Sequence, residues 1–131
     1  MKMRFLMFAL LTLICAPSFG AGGGGGNSLY LPLGSPFVVN IKDHSGIRFL
    51  QITSEARLTD PAVGDEVKHH MALIRHIMIM LFSQQTPQSI GNLEGKEKLR
   101  EQTLAAVQTA LQEETGKDLI ENIYFTGFVV Q

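Results

Sequence analysis

The sequence predicts a single small α+β domain in the order β-β-α-α-β, with two helices packed on one side of a sheet. Alternating apolar and polar residues over 37–59 indicate two strands, and apolar spacings of three and four over 60–115 indicate two helices. A third stretch, 118–131, is rich in β-branched and aromatic residues. With 131 residues, of which 45% are hydrophobic and 18% charged, the chain is long enough to bury one core.

The first two strands form a predicted antiparallel hairpin. Phe37 to Lys42 is a short β-rich run, and Asp43 to Gly46 is a cluster of turn residues. Ile47 to Thr59 then alternates strictly, as a strand with one solvated face does. The face predicted to be buried carries Leu50, Ile52, Ser54, Ala56 and Leu58, and the other face carries Gln51, Thr53, Glu55 and Arg57.

Two helices are predicted to follow. Asp60 is a good N-cap and Pro61 suits the first helical position, so the first helix starts there and runs to about Ser83. Its second half, 71–82, is apolar nearly all round, so this half is either sandwiched between layers or covered by a partner. The second helix is predicted over 93–115, with Gly116 as its C-terminal cap.

The last predicted strand spans Asp118 to Gln131. Simple alternation places Ile123, Phe125 and Val129 on one face and Tyr124, Phe128 and Val130 on the other, so both faces are apolar. A strand that is apolar on both faces is typical of the centre of a sheet. We therefore expect this strand to be central.

The N-terminal segment resembles a secretory signal peptide over residues 1–20. Lys2 and Arg4 precede an apolar run, and small residues follow it. The favoured cleavage lies between Gly20 and Ala21. The alternative is an uncleaved anchor, but the apolar run is shorter than the ~20 residues that span a bilayer. Residues 21–35, which contain five consecutive glycines at 22–26, are predicted to be a flexible linker that leads to an exported domain at 36–131.

No catalytic or metal-binding constellation is evident in the sequence. His69, His70 and His76 invite a metal interpretation, but His69 and His76 are seven positions apart, about 10 Å along a helix, and no carboxylate completes the set at that spacing. A net charge of −1 gives no reason to expect nucleic-acid binding. We expect a non-enzymatic protein with no cofactor and no small-molecule substrate, and a small secreted hydrolase is the weaker alternative because it lacks a nucleophile motif.

The candidate interface lies in the apolar half of the first helix, at Arg75, His76, Ile79 and Phe82. Arg75 has two interpretations, because a buried guanidinium needs a partner. It either contacts carbonyl groups or a carboxylate inside the fold, or it forms a hot spot at a subunit interface.

Five short motifs, in order along the chain, carry a resemblance to a known family. They are Tyr30 to Leu33 with Phe37 to Asn40, Arg48 to Ile52, Ile74-Arg75 with Leu81 to Ser83, Gly95 to Arg100, and Ile123 to Thr126 with Phe128 to Gln131. Together they resemble the family of the flagellar basal-body-associated protein FliL. Family members often carry an acidic residue after the helix arginine, where this chain has His76, and they commonly have a full transmembrane helix, where this chain has a shorter apolar run.

This resemblance implies a stomatin-like fold and a structural role in the bacterial flagellum. It implies a homo-oligomer on the periplasmic face of the inner membrane that associates with stator and other basal-body proteins and supports flagellar rotation and motility. The alternative is a stomatin-like periplasmic scaffold or binding module that is not connected with flagella.

Overall fold

The computed structural model describes residues 28–131. The predicted signal peptide, its cleavage between Gly20 and Ala21, and the glycine run therefore lie outside the described residues. The elements are β1 Tyr30–Pro32, β2 Phe37–Asp43, β3 Gly46–Leu58, a 3-10 turn Pro61–Val63, α1 Gly64–His69, α2 Met71–Ser83, α3 Leu93–Thr115 and β4 Ile120–Val130.

The α+β class is confirmed, but the central strand is β3, not the last strand. β3 is 13 residues long and pairs antiparallel with other strands along both of its edges. Along one edge its first half pairs with β2 and its second half with β1. Along the other edge it pairs with β4, which has no second neighbour among residues 28–131. The prediction that the last strand is central was therefore wrong.

The β2–β3 hairpin is confirmed, with His44 and Ser45 between the paired residues Asp43 and Gly46. Gly46 has a φ of 132°, which a side chain would strain. The Asp43 carboxylate accepts hydrogen bonds from the hydroxyl of Ser45 and the backbone N–H of His44. These bonds, together with bonds from Gln88 and Arg48, lower the pKa of Asp43 because they stabilise its charged form.

The core lies between the helices and one face of the sheet. All five β3 residues that alternation assigned to the interior are buried, including the polar Ser54. On the helices, the residues that meet this face are also buried, and they are Val67, Ile74, Met78, Phe82, Leu99, Thr103, Val107 and Leu111.

The first helix is not continuous. Asp60 caps the 3-10 turn as expected, because its carboxylate accepts the N–H of Ala62 at 2.7 Å. At His70 the backbone leaves the helical region, with φ −96° and ψ 14°, which separates α1 from α2. The helix over 93–115 and its cap, Gly116 with a φ of 70°, are as predicted.

The predicted faces of β4 were wrong for its second half, because the register shifts there. Thr53 pairs with Gly127 and Ser54 pairs with Phe125, so Thr126 is an extra residue in β4. One extra residue reverses the alternation of all later side chains. Phe128 and Val130, opposite Ile52 and Leu50, therefore share the helix-covered face with Ile123 and Phe125.

The ordered domain begins before residue 36. Tyr30–Pro32 pairs with residues 55–57 of β3, and Leu33 is fully buried. The predicted linker over 21–35 is therefore wrong for its second half. A three-residue strand that contains a proline carries too little alternation to be recognised from sequence.

Candidate interaction surface

Arg75 lies on α2 and contacts the segment between β1 and β2. Its Nη1 donates hydrogen bonds to the carbonyl oxygens of Leu33 at 2.6 Å and Ser35 at 2.9 Å. Its guanidinium carbon lies 4.0 Å from the ring centroid of Phe37, a cation–π arrangement. These contacts match the interpretation of Arg75 as a residue that bonds carbonyl groups inside the fold.

Gly34 allows this contact. Its φ of 89° is unfavourable for residues with a side chain, and a Cβ at this position would lie 2.9 Å from Nη1 of Arg75. The two carbonyl groups that flank Gly34 both face the guanidinium. Arg75 and Gly34 therefore act together to fasten the start of the domain to α2.

Phe82 is buried and is not part of an exposed surface in the single chain. It continues a row with Ile74 and Met78 at spacings of four, and this row forms the inner face of α2. Its ring meets Phe37 edge-on, with centroids 5.3 Å apart, and Phe125 with centroids 5.7 Å apart. The structure thus corrects its assignment to the candidate interface: Phe82 is a core residue.

The opposite face of α2 is exposed. We call the exposed residues of this face the outer stripe of α2, and they are Ala72, His76, Ile79, Met80 and Ser83. Ile79 is 40% and Met80 51% exposed, which is high for large apolar side chains on a helix that packs on a sheet. Sequence reasoning missed Met80, although its spacing of four from His76 places both on one face.

A second apolar area covers the side of the sheet away from the helices. We call it the open sheet face. Ile47 is the most exposed of its large apolar side chains, at 68%, and the polar side chains of β3 lie between them. These large apolar residues are Tyr30, Val38, Ile47, Phe49, Tyr124 and Val129.

No metal site is evident in the described part of the chain. Among residues 28–131, no three or more His, Cys, Asp or Glu side chains form a group that could hold a metal ion. The rings of His69 and His70 contact each other edge-on, with centroids 5.2 Å apart. None of the helices within residues 28–131 combines the length and the apolar character needed to cross a membrane.

Comparison with known proteins identifies the family. Residues 30–131 match the family model for "Flagellar basal body-associated protein FliL". The chain belongs to the FliL family. The match begins at the first residue of β1 and includes every element of the fold, so the short strand β1 is part of the family domain.

Curated relatives agree with this assignment. The chain is 31% identical over 99 residues to the flagellar protein FliL of Aquifex aeolicus, and this alignment covers 76% of this chain and 59% of the relative. It is 25% identical over 95 residues to the flagellar protein FliL of Escherichia coli K12, and this alignment covers 72% of this chain and 60% of the relative. The aligned part thus spans about three fifths of the length of these relatives.

Proposed function

We propose that this member of the FliL family is a non-enzymatic structural protein of the bacterial flagellar basal body. It lies on the periplasmic face of the inner membrane, associates with itself and with the stator units of the motor, and supports flagellar rotation. The observation that carries this proposal is the family match over residues 30–131. It favours a flagellar role over a scaffold that is not connected with flagella.

The exposed apolar surfaces support a role in assembly. The outer stripe of α2 and the open sheet face leave large apolar side chains in contact with water, at a cost that burial against a neighbour would remove. We assign the outer stripe of α2 to the contact with the neighbouring subunit or motor protein. Of the four candidate interface residues, His76 and Ile79 lie in this stripe. Arg75 lies outside it and bonds the segment around Gly34.

The first experiment tests the flagellar role. The gene is deleted in a flagellated host, and the full chain fused to a fluorescent protein is returned. We expect weaker swimming in viscous medium after deletion, and fluorescent foci at the flagellar bases after complementation. Unchanged motility together with a uniform envelope signal would contradict the flagellar role.

A second experiment tests the surface. Ile79→Asp introduces a charge into the outer stripe of α2, and Ala105→Asp introduces the same charge at an exposed position on α3 as a control. We expect Ile79→Asp to abolish the foci at wild-type protein levels and Ala105→Asp to retain them. Foci that survive Ile79→Asp would exclude this stripe as the contact.

A further inference from the structure

Within residues 28–131, β4 is an edge strand that pairs only with β3, and we call its unpaired edge the free border. Side chains of α3 cover this border along only the first half of the strand. In the first half, side chains of α3 bond its backbone: Gln108 Nε2 donates to the carbonyl of Ile120 at 2.9 Å, and Arg100 Nη1 donates to that of Ile123 at 3.3 Å. Beyond Tyr124, no side chain among residues 28–131 forms a hydrogen bond with the β4 backbone. Open strand borders invite pairing with other chains, so proteins usually cover them.

Backbone groups in the second half point outward. Phe49 and Gln131 exchange both of their N–H···O bonds, each at 2.9 Å. In an antiparallel pair, residues that exchange both bonds alternate with residues whose N–H and C=O groups point away from the partner strand. The backbone groups of Val130 and Phe128 therefore face away from β3, toward the free border.

A groove lies beside β4 from Asn122 to Phe128, so it extends from the covered half of the strand into the open half. Its volume between α3 and the strand is about 430 Å³. Tyr124 lies on the open sheet face, whereas Phe125 and Phe128 lie on the helix-covered face, so the groove follows the border of the sheet. Leu93, which is 83% exposed, forms part of its wall on the α3 side.

The groove holds one cation that lacks an acidic partner. The Lys96 ammonium lies 4.9 Å from the ring centroid of Phe128 and forms no ion pair with any residue of 28–131. Arg100, by contrast, pairs with Glu97, and this pair lowers the pKa of Glu97. An incoming carboxylate would therefore meet Lys96 as the available positive charge.

We propose that the border of β4 from Tyr124 to Val130 binds a short extended segment of another protein, which carries an apolar side chain next to a carboxylate. The segment adds a strand to the sheet by bonding the outward groups of Phe128 and Val130. Its apolar side chain fills the groove, and its carboxylate pairs with Lys96. This site is separate from the outer stripe of α2, so it can fail while the proposed flagellar role holds.

The test uses a phage-displayed library of short random peptides, panned against the full chain. The most enriched peptide is synthesised with a fluorescent label, and its affinity is measured by anisotropy. Lys96→Glu should weaken binding by about tenfold or more, because it removes a charged hydrogen bond and adds repulsion. Lys98→Glu, which makes the same charge change at an exposed position outside the groove, should leave the affinity unchanged.

Backbone methylation of the peptide tests strand addition itself. In an added strand, the N–H groups of alternate residues face β4 and the others face water. N-methylation of one alternate set should abolish binding, and methylation of the other set should preserve it. Equal tolerance of both sets would overturn the proposal, as would a failure to enrich any peptide or equal binding to Lys96→Glu and Lys98→Glu. The Phe128 and Val130 amides could instead be protected from hydrogen exchange in a dimer of the chain. If the peptide could not displace the second copy from that dimer, the border would be assigned to a second copy.

Discussion

Replacing Arg75 by alanine should destabilise the domain even though the side chain is only half-buried. The change removes two hydrogen bonds from a charged donor to the carbonyls of Leu33 and Ser35 and the contact with the Phe37 ring. A hydrogen bond to a charged group contributes ~1.5–3 kcal/mol when it is shielded from water. Because the guanidinium is partly solvated, we expect a total loss of about 2 kcal/mol in the free energy of unfolding.

Urea unfolding of the full chain, followed by circular dichroism, measures this loss. At typical denaturant sensitivities for small domains, 2 kcal/mol lowers the midpoint by roughly 1–2 M. Arg48→Ala is the control, because the Arg48 side chain is 47% exposed and its ion pair with Asp43 is expected to contribute less than about 1 kcal/mol. If Arg75→Ala is no more destabilising than Arg48→Ala, Arg75 does not fasten the domain as described.

A double-mutant cycle with Gly34→Ala sharpens the test. Alone, Gly34→Ala should cost about 1–3 kcal/mol, because its φ of 89° is strained for alanine and the new Cβ meets Arg75. In the Arg75→Ala background the steric part of this cost disappears, so the two losses should not add. Strict additivity would show that the two residues act independently.

Three further predictions use the same unfolding assay. Phe82→Ala should cost about 3–5 kcal/mol, because it empties a fully buried site on α2, whereas an interface-only role would leave stability unchanged. Ser54→Ala should be neutral or stabilising, because the buried Ser54 hydroxyl has no hydrogen-bond partner within residues 28–131, and a clear loss would reveal a partner. The pKa of Asp43 is lowered in the fold, so its carboxylate stabilises the domain above the ordinary Asp pKa of about 4, and this stabilisation is lost as the pH falls through the lower folded pKa. Asp43→Asn should therefore make the free energy of unfolding fall less steeply with acid, and an unchanged dependence on acid would contradict the assignment.

Local patterns predicted the parts of the fold that local chemistry determines. The alternation in β3 identified its buried face because this strand packs one face on the helices and leaves the other in water. Asp60 and Gly116 marked helix boundaries because a carboxylate cap and a left-handed glycine suit those positions. The hairpin turn at Asp43–Gly46 was predictable for the same reason.

Other features depend on contacts between distant parts of the chain. That β3 is central follows from its length, which allows β1 and β2 to share one edge while β4 takes the other. The extra residue Thr126 reverses the faces of β4. The adjacent Gly127 was the one local signal of this shift, because a glycine inside a strand often marks a bulge, and simple alternation did not use it. No glycine or proline marks the interruption of the first helix at His70.

The candidate site was partly predictable. The sequence identified α2 as the element with surplus apolar surface, and Ile79 is exposed there. It could not separate Ile79 from Phe82, because a helix that is apolar nearly all round has no polar stripe to fix its orientation. The carbonyl partners of Arg75 lie about forty positions earlier in the chain, so only the folded structure reveals them.

Photo-crosslinking in flagellated cells tests most directly that the outer stripe of α2 contacts a neighbour at the motor. A photoreactive phenylalanine analogue is placed at Met80, and at the exposed Ala105 on α3 as the control. We expect irradiation to join position 80, but not position 105, to another copy of the chain or to a motor protein identified by mass spectrometry. No adduct at position 80, or equal adducts at both positions, would contradict a docking role for this surface.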